Sequence, residues 1–225
     1  MIRVGVLASG SGSNLQAILD ACAAGRVDAT VAAVVCNVPG ARALERARAA
    51  GVAAELLPSK GTPDRAAYDL SVVDRLRHHR VDLVCLAGWM RIVTPDFLAA
   101  FGPTPASGGC PRVMNVHPAL LPSFPGLHAQ RQALEYGARF SGCTVHFVDA
   151  GTDTGPVIVQ AVVPVHPGDD EATLSARILA EEHRIYPEAI QWFAEGRLSL
   201  EGRRVRLRDA AAPALDGVAN PSLDR

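Results

Sequence analysis

Short uninterrupted apolar runs, separated by stretches with helical periodicity, dominate most of the chain. The runs are Arg3–Ala8, Ala29–Cys36, Ala53–Leu57, Leu83–Ala87, Val113–Val116, Cys143–Val148 and Val157–Val163. Most lack the polar alternation of a half-solvated strand, which predicts strands covered on both faces. Leu15, Ile18, Leu19 and Cys22 fall at the i, i+3, i+4, i+7 spacing of one buried helix face, with Ser13 or Asn14 placed to cap it. Thr62 followed by Pro63 and Asp64 predicts the start of another helix, which buries Tyr68, Val72, Val73 and Leu76 and ends in the polar run Arg77–Arg80. Leu174, Ile178 and Ile185 mark an apolar stripe on a later helix. Strands alternating with helices predict an α/β chain: one open, mostly parallel twisted sheet with helices on both faces.

The Gly-, Pro- and Ser-rich stretch Phe101–Pro111 reads as a loop between a helix and the Val113 strand, not as a domain linker, because strand-like sequence resumes at once. Residues 1–208 are therefore expected to form a single domain. The segment 209–225 has no aromatic residue and little periodicity, and is expected to be a poorly ordered tail.

Composition narrows the function classes. With 225 residues, 48% hydrophobic and 20% charged, the chain is ordinary globular material. The 22 basic and 23 acidic residues give a net charge of −1, so no basic field points to nucleic acid or to an anionic membrane, and a small-molecule partner is expected. Five cysteines without a C-x-x-C pair suit reduced thiols. The longest stretch without charge, Val113–Gln130, holds three prolines and cannot span a bilayer as a helix. The opening run Val4–Ala8 is too short for the apolar part of a signal peptide. A cytoplasmic location is expected.

Two clusters carry chemistry. Ser9-Gly10-Ser11-Gly12-Ser13-Asn14 lies where the first strand turns into a helix, so its backbone amides can converge on an anion. It departs from the dinucleotide fingerprint, since Leu15 takes the third glycine position and Cys36-Asn37 offers no carboxylate for a ribose diol. It departs from the nucleoside-triphosphate loop as well, because no Lys-Ser/Thr pair follows and Lys60 is the chain's single lysine. A phosphate monoester fits; a tight turn that simply needs small residues is the competing reading. The second cluster is Asn115 and His117, two residues apart at a strand's C-terminal end and so on one sheet face, with Asp153 in a later turn. None of the seven histidines forms an H-x-x-x-H pair, and no metal is expected.

The run His117-Pro118-Ala119-Leu120-Leu121-Pro122-Ser123-Phe124-Pro125-Gly126, with Asn115 before it and Asp153-Thr154-Gly155-Pro156 after it, resembles the 10-formyltetrahydrofolate-dependent formyltransferases. The turn Gly10-Ser11-Gly12-Ser13-Asn14 is similar to the glycinamide ribonucleotide branch in particular. The resemblance spans roughly residues 2 to 200 and implies a Rossmann-like formyltransferase fold, with the phosphate side in the N-terminal half and the folate side in the C-terminal half. It implies formyl transfer from 10-formyltetrahydrofolate, as co-substrate, to the amine of glycinamide ribonucleotide in purine synthesis.

By the same resemblance Asn115, His117 and Asp153 are the catalytic trio, His117 as proton donor and Asp153 as the carboxylate that favours its protonated form. Ser11, Gly12, Ser13, Asn14 and Glu182 would bind the ribonucleotide. Arg65, Met90, Arg91, Ile92, Val93 and Asn115 would bind the folate, and His146 would support the site. Plainer roles compete: core for Trp89, Met90, Ile92 and His146, a solvated surface arginine for Arg65, a carboxylate reaching solvent for Glu182. Leu179 departs from the family pattern where a polar residue is expected, Ala119 stands where serine is common, and the Phe101–Pro111 loop is longer than usual. A formyl-folate hydrolase and a non-catalytic phosphometabolite-binding protein are the alternative functions. A monomer or homodimer is expected.

Overall fold

The computed structural model describes residues 1–210. Seven strands, β1 (Ile2–Ala8), β2 (Ala29–Cys36), β3 (Ala53–Leu56), β4 (Leu83–Leu86), β5 (Val113–His117), β6 (Phe140–Phe147) and β7 (Val157–Pro164), form one sheet in the order β3-β2-β1-β4-β5-β6-β7. β1 to β5 run parallel, and β6 lies antiparallel to both β5 and β7. The expected mostly parallel sheet is present. Its seven strands sit where the apolar runs placed them, although β6 begins at Phe140 and β5 continues to His117.

Helices α1 (Ser13–Ala23), α2 (Arg42–Ala49), α3 (Arg65–His78), α4 (Pro95–Ala100), α5 (Ala129–Tyr136) and α6 (Glu171–Ala194) cover the sheet. Alternation along β1 divides the core in two. Val4 and Val6 pack with Leu15 and Ile18 of α1 and with Ile178 and Ile185 of α6, while Leu7 packs with Tyr68, Val72 and Leu76 of α3 and Phe97 of α4. A hairpin, β8 (Leu198–Glu201) and β9 (Arg204–Leu207), closes the described chain.

Both expected helix caps are corrected. Neither Ser13 nor Asn14 caps α1: the cap position is Gly12, at φ 68, with no side-chain acceptor. Glycine takes this left-handed conformation without steric cost, so the first amides of α1 stay open. At α3 the cap is Asp64 rather than Thr62; its carboxylate accepts from Ala67 N at 3.0 Å and also complements the positive helix end. The Phe101–Pro111 loop is present and contains a short 3₁₀ turn, Pro105–Ser107. Of the tail expected over 209–225, residues 211 onward lie outside the described residues. All five cysteines are free thiols. Among the described residues no helix is long and apolar enough to cross a membrane, and no group of three or more His, Cys, Asp or Glu side chains could hold a metal.

Candidate active site

The connections leaving β1 and β4 turn to opposite sides of the sheet, which opens a crevice at the carboxyl ends of these neighbours. The glycine turn after β1 and the segment after β4 meet there. Ser9 N donates to Gly88 O at 3.0 Å, and Met90 N donates to Ser9 Oγ at 3.0 Å. Ser9 to Asn14, Ala87, Gly88 and Met90 line a cavity of about 220 Å³. The N–H groups of Gly10, Ser11 and Gly12 donate to no acceptor among the described residues. At the cavity's edge Asn14 Nδ2 donates to Glu182 Oε2 at 2.7 Å, leaving Asn14 Oδ1 buried without a partner. Glu182 is only 6% exposed, so its carboxylate does not reach out to solvent. Burial pushes its pKa up, and the Asn14 bond offsets part of that.

Asn115 and His117 lie on one face of β5, opposite His146 and Thr144 of β6. His146 Nδ1 faces Phe147 O at 2.9 Å. A carbonyl can only accept, so the proton sits on Nδ1 and Nε2 accepts from Asn115 Nδ2 at 3.2 Å. Burial lowers the His146 pKa and favours this neutral tautomer. His117 is 4% exposed, and its Nε2 faces Phe124 O at 2.8 Å, which fixes the ring. Its Nδ1 lies 3.4 Å from Asp153 Oδ2, and Asp153 Oδ1 lies 3.8 Å from His146 Nε2. The amide of Asn115, Nδ1 of His117 and the carboxylate of Asp153 thus surround one small volume. Of the two His117 contacts, the longer one to Asp153 is the one a substrate atom can share.

Two loops hold this cluster. Thr144, fully buried on β6, donates to Ala119 O at 2.7 Å and accepts from Leu121 N at 3.0 Å. Gln160 of β7 donates to Thr144 Oγ1 and to Leu121 O, both at 2.9 Å. These bonds fasten the chain that follows His117. In the second loop Asp149 Oδ1 accepts from Gly151 N at 3.1 Å and from Thr154 Oγ1 at 2.6 Å. A Cβ on Gly155 would sit 1.7 Å from Phe147 O, so only glycine lets this loop fold back and bring Asp153 to His117. Asp153, at φ 53, accepts from Gly126 N at 2.8 Å, which ties the two loops together.

The segment after β4 divides its residues between core and surface. Trp89 and Val93 are buried, as core residues would be, whereas Met90 is 66% and Ile92 51% exposed. The core role considered for those two is therefore corrected. Arg65 is exposed, as the surface reading expects, and is also anchored: its Nη2 donates to Ile92 O at 2.8 Å and joins α3 to this segment. Arg65, Ile92, Val93, Thr94 and Ala150 line a groove of about 510 Å³. Arg91 stacks on Tyr68 at 4.3 Å from the ring centroid, and its Nε and Nη2, like Trp89 Nε1, are buried without acceptors. The segment therefore offers donors beside an apolar wall.

A family model described as formyl transferase matches residues 2–190. The chain belongs to the formyl transferase family. Phosphoribosylglycinamide formyltransferase of Escherichia coli K12 is 46% identical over 199 residues, covering 88% of this chain and 90% of that protein. The protein of the same name from Haemophilus influenzae is 38% identical over 220 residues, covering 98% and 100%. The crystal structure of glycinamide ribonucleotide transformylase 1 from Symbiobacterium toebii superposes with a TM-score of 0.88 at 57% identity, covering 93% of this chain and 95% of that one.

Within this formyl transferase, sequence reading did not single out Thr144, Gln160, Phe124 or Tyr186. Thr144 carried the clearest signal, a polar residue in an apolar strand two positions from His146. Tyr186, buried on α6, donates to Leu86 O and Met114 O, both at 3.1 Å, and so joins β4 to β5 beneath the site. Nothing in the local pattern marks it.

Proposed function

We propose that the protein transfers the formyl group of 10-formyltetrahydrofolate to the amine of N1-(5-phospho-D-ribosyl)glycinamide, a step of purine synthesis, and that it does so in the cytoplasm. The carrying observation is two unlike features at the same carboxyl edge of the sheet: a turn with open backbone amides after β1, and an Asn-His-Asp cluster at the end of β5, two strands away. The free thiols suit a reducing compartment.

Glycine-turn amides from Ser11 to Asn14 take the 5′-phosphate, with Asn14 and Glu182 on the sugar. Arg65, Arg91 and the 90–93 segment hold the folate against the apolar wall, and the buried unpaired donors of Trp89 and Arg91 suit a heterocycle rich in acceptors. The folate supplies an amide-like formyl carbonyl. Phe124 O holds the Nε2 proton of His117, so Nδ1 donates from the imidazolium paired with Asp153; in that form His117 Nδ1 and Asn115 Nδ2 are placed to hold negative charge as it develops on the formyl oxygen, a contribution worth about 10²–10³ per donor. Asp153 takes up the proton released by the attacking amine, directly or through water. A new C–N bond forms to the glycinamide amine and the bond to N10 breaks; N10 receives its proton from His117, which regains one from Asp153, so that the amine's proton is passed on and both groups return to their starting state. His146, neutral and hydrogen-bonded to Asn115, fixes the amide's orientation.

The test follows label. With 13C-formyl-folate and the ribonucleotide, the 13C resonance is expected to move to the secondary amide of the product. Label recovered as free formate instead would contradict the reading.

A further inference from the structure

The glycine turn is not self-supporting. Gly10 O accepts from Ala43 N at 3.1 Å, and Ser11 O accepts from Arg46 Nε at 2.9 Å, so α2 holds two successive carbonyls of the turn. The packing is close: a Cβ on Gly12 would lie 2.9 Å from Ala43. Arg46 reaches further, donating through Nη1 to Gln16 Oε1 on α1 at 2.9 Å. One planar guanidinium therefore bonds the turn and the helix that follows it.

A trans peptide points its N–H opposite its C=O. Because Arg46 holds the Ser11 carbonyl toward α2, the Gly12 N–H of the same peptide is turned the other way, toward the cavity. The Ala43 bond to Gly10 O does the same for the Ser11 N–H. None of the residues lining that cavity carries a charge. The cation bonded to the turn polarises the Ser11–Gly12 peptide and strengthens its N–H as a donor.

We propose that Arg46 is a positioning residue for the ribonucleotide phosphate: it aims the Gly12 N–H by fixing the Ser11 carbonyl and places a positive charge behind the cradle. This rests on the proposed function, since the anion it serves is the ribonucleotide's phosphate. It assigns no contact between Arg46 and substrate.

The test compares wild type, Arg46→Ala and Arg46→Lys in steady-state kinetics with each substrate varied, together with inhibition by inorganic phosphate. Arg46→Ala is expected to raise the ribonucleotide KM roughly tenfold and to weaken phosphate inhibition in parallel, leaving kcat and the formyl-folate KM within about twofold. Arg46→Lys restores the charge with one point donor and is expected to recover part of the loss. An unchanged ribonucleotide KM in folded Arg46→Ala overturns the proposal, as do equal losses in kcat and both KM values, which would mark a merely structural role. If Arg46→Ala does not fold, Arg46→Met keeps the aliphatic stem and carries the same readings. Wild-type turnover that ignores the ribonucleotide overturns the proposed function itself and is read before any variant.

Discussion

Asn14 and Glu182, 168 positions apart, are joined by a 2.7 Å hydrogen bond in the buried edge of the first cavity. The bond links the residue that follows the glycine turn to the middle of α6, and so couples the proposed phosphate cradle to the carboxylate proposed for the sugar.

Glu182 is costly to keep ionised there. Its folded pKa is raised above the ordinary 4.5, so its contribution to stability is full below about pH 4.5 and is lost as pH rises through the folded value. Glu182→Gln keeps an oxygen to accept from Asn14 and removes the titration. The variant is expected to match or exceed wild type in urea midpoint at pH 8, with a smaller advantage at pH 5. Its ribonucleotide KM should rise roughly tenfold, through the loss of a charged acceptor.

His117→Ala and Asp153→Asn should each cost at least about 100-fold in turnover with the fold retained. The amide oxygen introduced by Asp153→Asn would still accept from Gly126 N, so the loop tie survives while the negative charge goes. Circular dichroism with steady-state rates checks both, and near-wild-type rates in either variant would remove that residue from the chemistry.

Thr144→Val is nearly isosteric but strands Ala119 O and Leu121 N in a buried setting. It should destabilise the protein by about 3 kcal/mol and lower kcat by loosening the chain after His117. Denaturant unfolding with kinetics below the transition measures both; unchanged stability would mean that water replaces the hydroxyl.

How much of this is legible without coordinates depends on the range of the interaction. The strands show in the sequence because burial on both faces leaves a local apolar signature, and the glycine turn and the Asn115-x-His117 pair show because they are contiguous. α2 does not show: its buried face is Ala43, Leu44 and Ala47, too small to make a stripe among its arginines. Nor do the cap of α1 and the pairing of Asn14 with Glu182, because choosing between capping and a distant carboxylate needs the packing of α6 on α1. The exposure of Met90 and Ile92 is hidden for the converse reason: an apolar side chain left at the surface reads in sequence like core.

Burial lowers the His146 pKa below the ordinary 6.5, so the unfolded chain gains its proton first as pH falls. Its contribution to stability is full above about pH 6.5 and is lost as pH descends through that value toward the folded one. His183 carries a shift of the same sign, mainly from burial and then from Arg46. Urea midpoints are expected to fall between pH 7.5 and 5.5, and to fall less in His146→Asn; an equal slope in the variant would assign the acid sensitivity elsewhere.

The proposed phosphate cradle after β1 and the Asn115, His117 and Asp153 cluster at the end of β5 lie at the same carboxyl edge of the sheet, so formyl transfer should depend on both substrates at once. That dependence is read by following the formyl-folate absorbance with purified protein, with and without N1-(5-phospho-D-ribosyl)glycinamide. Loss of the chromophore is expected only when the ribonucleotide is present. Loss without it would mean that water is the acceptor, and no loss in either mixture would mean a binding protein; either result would overturn the coupling of cradle and cluster in formyl transfer.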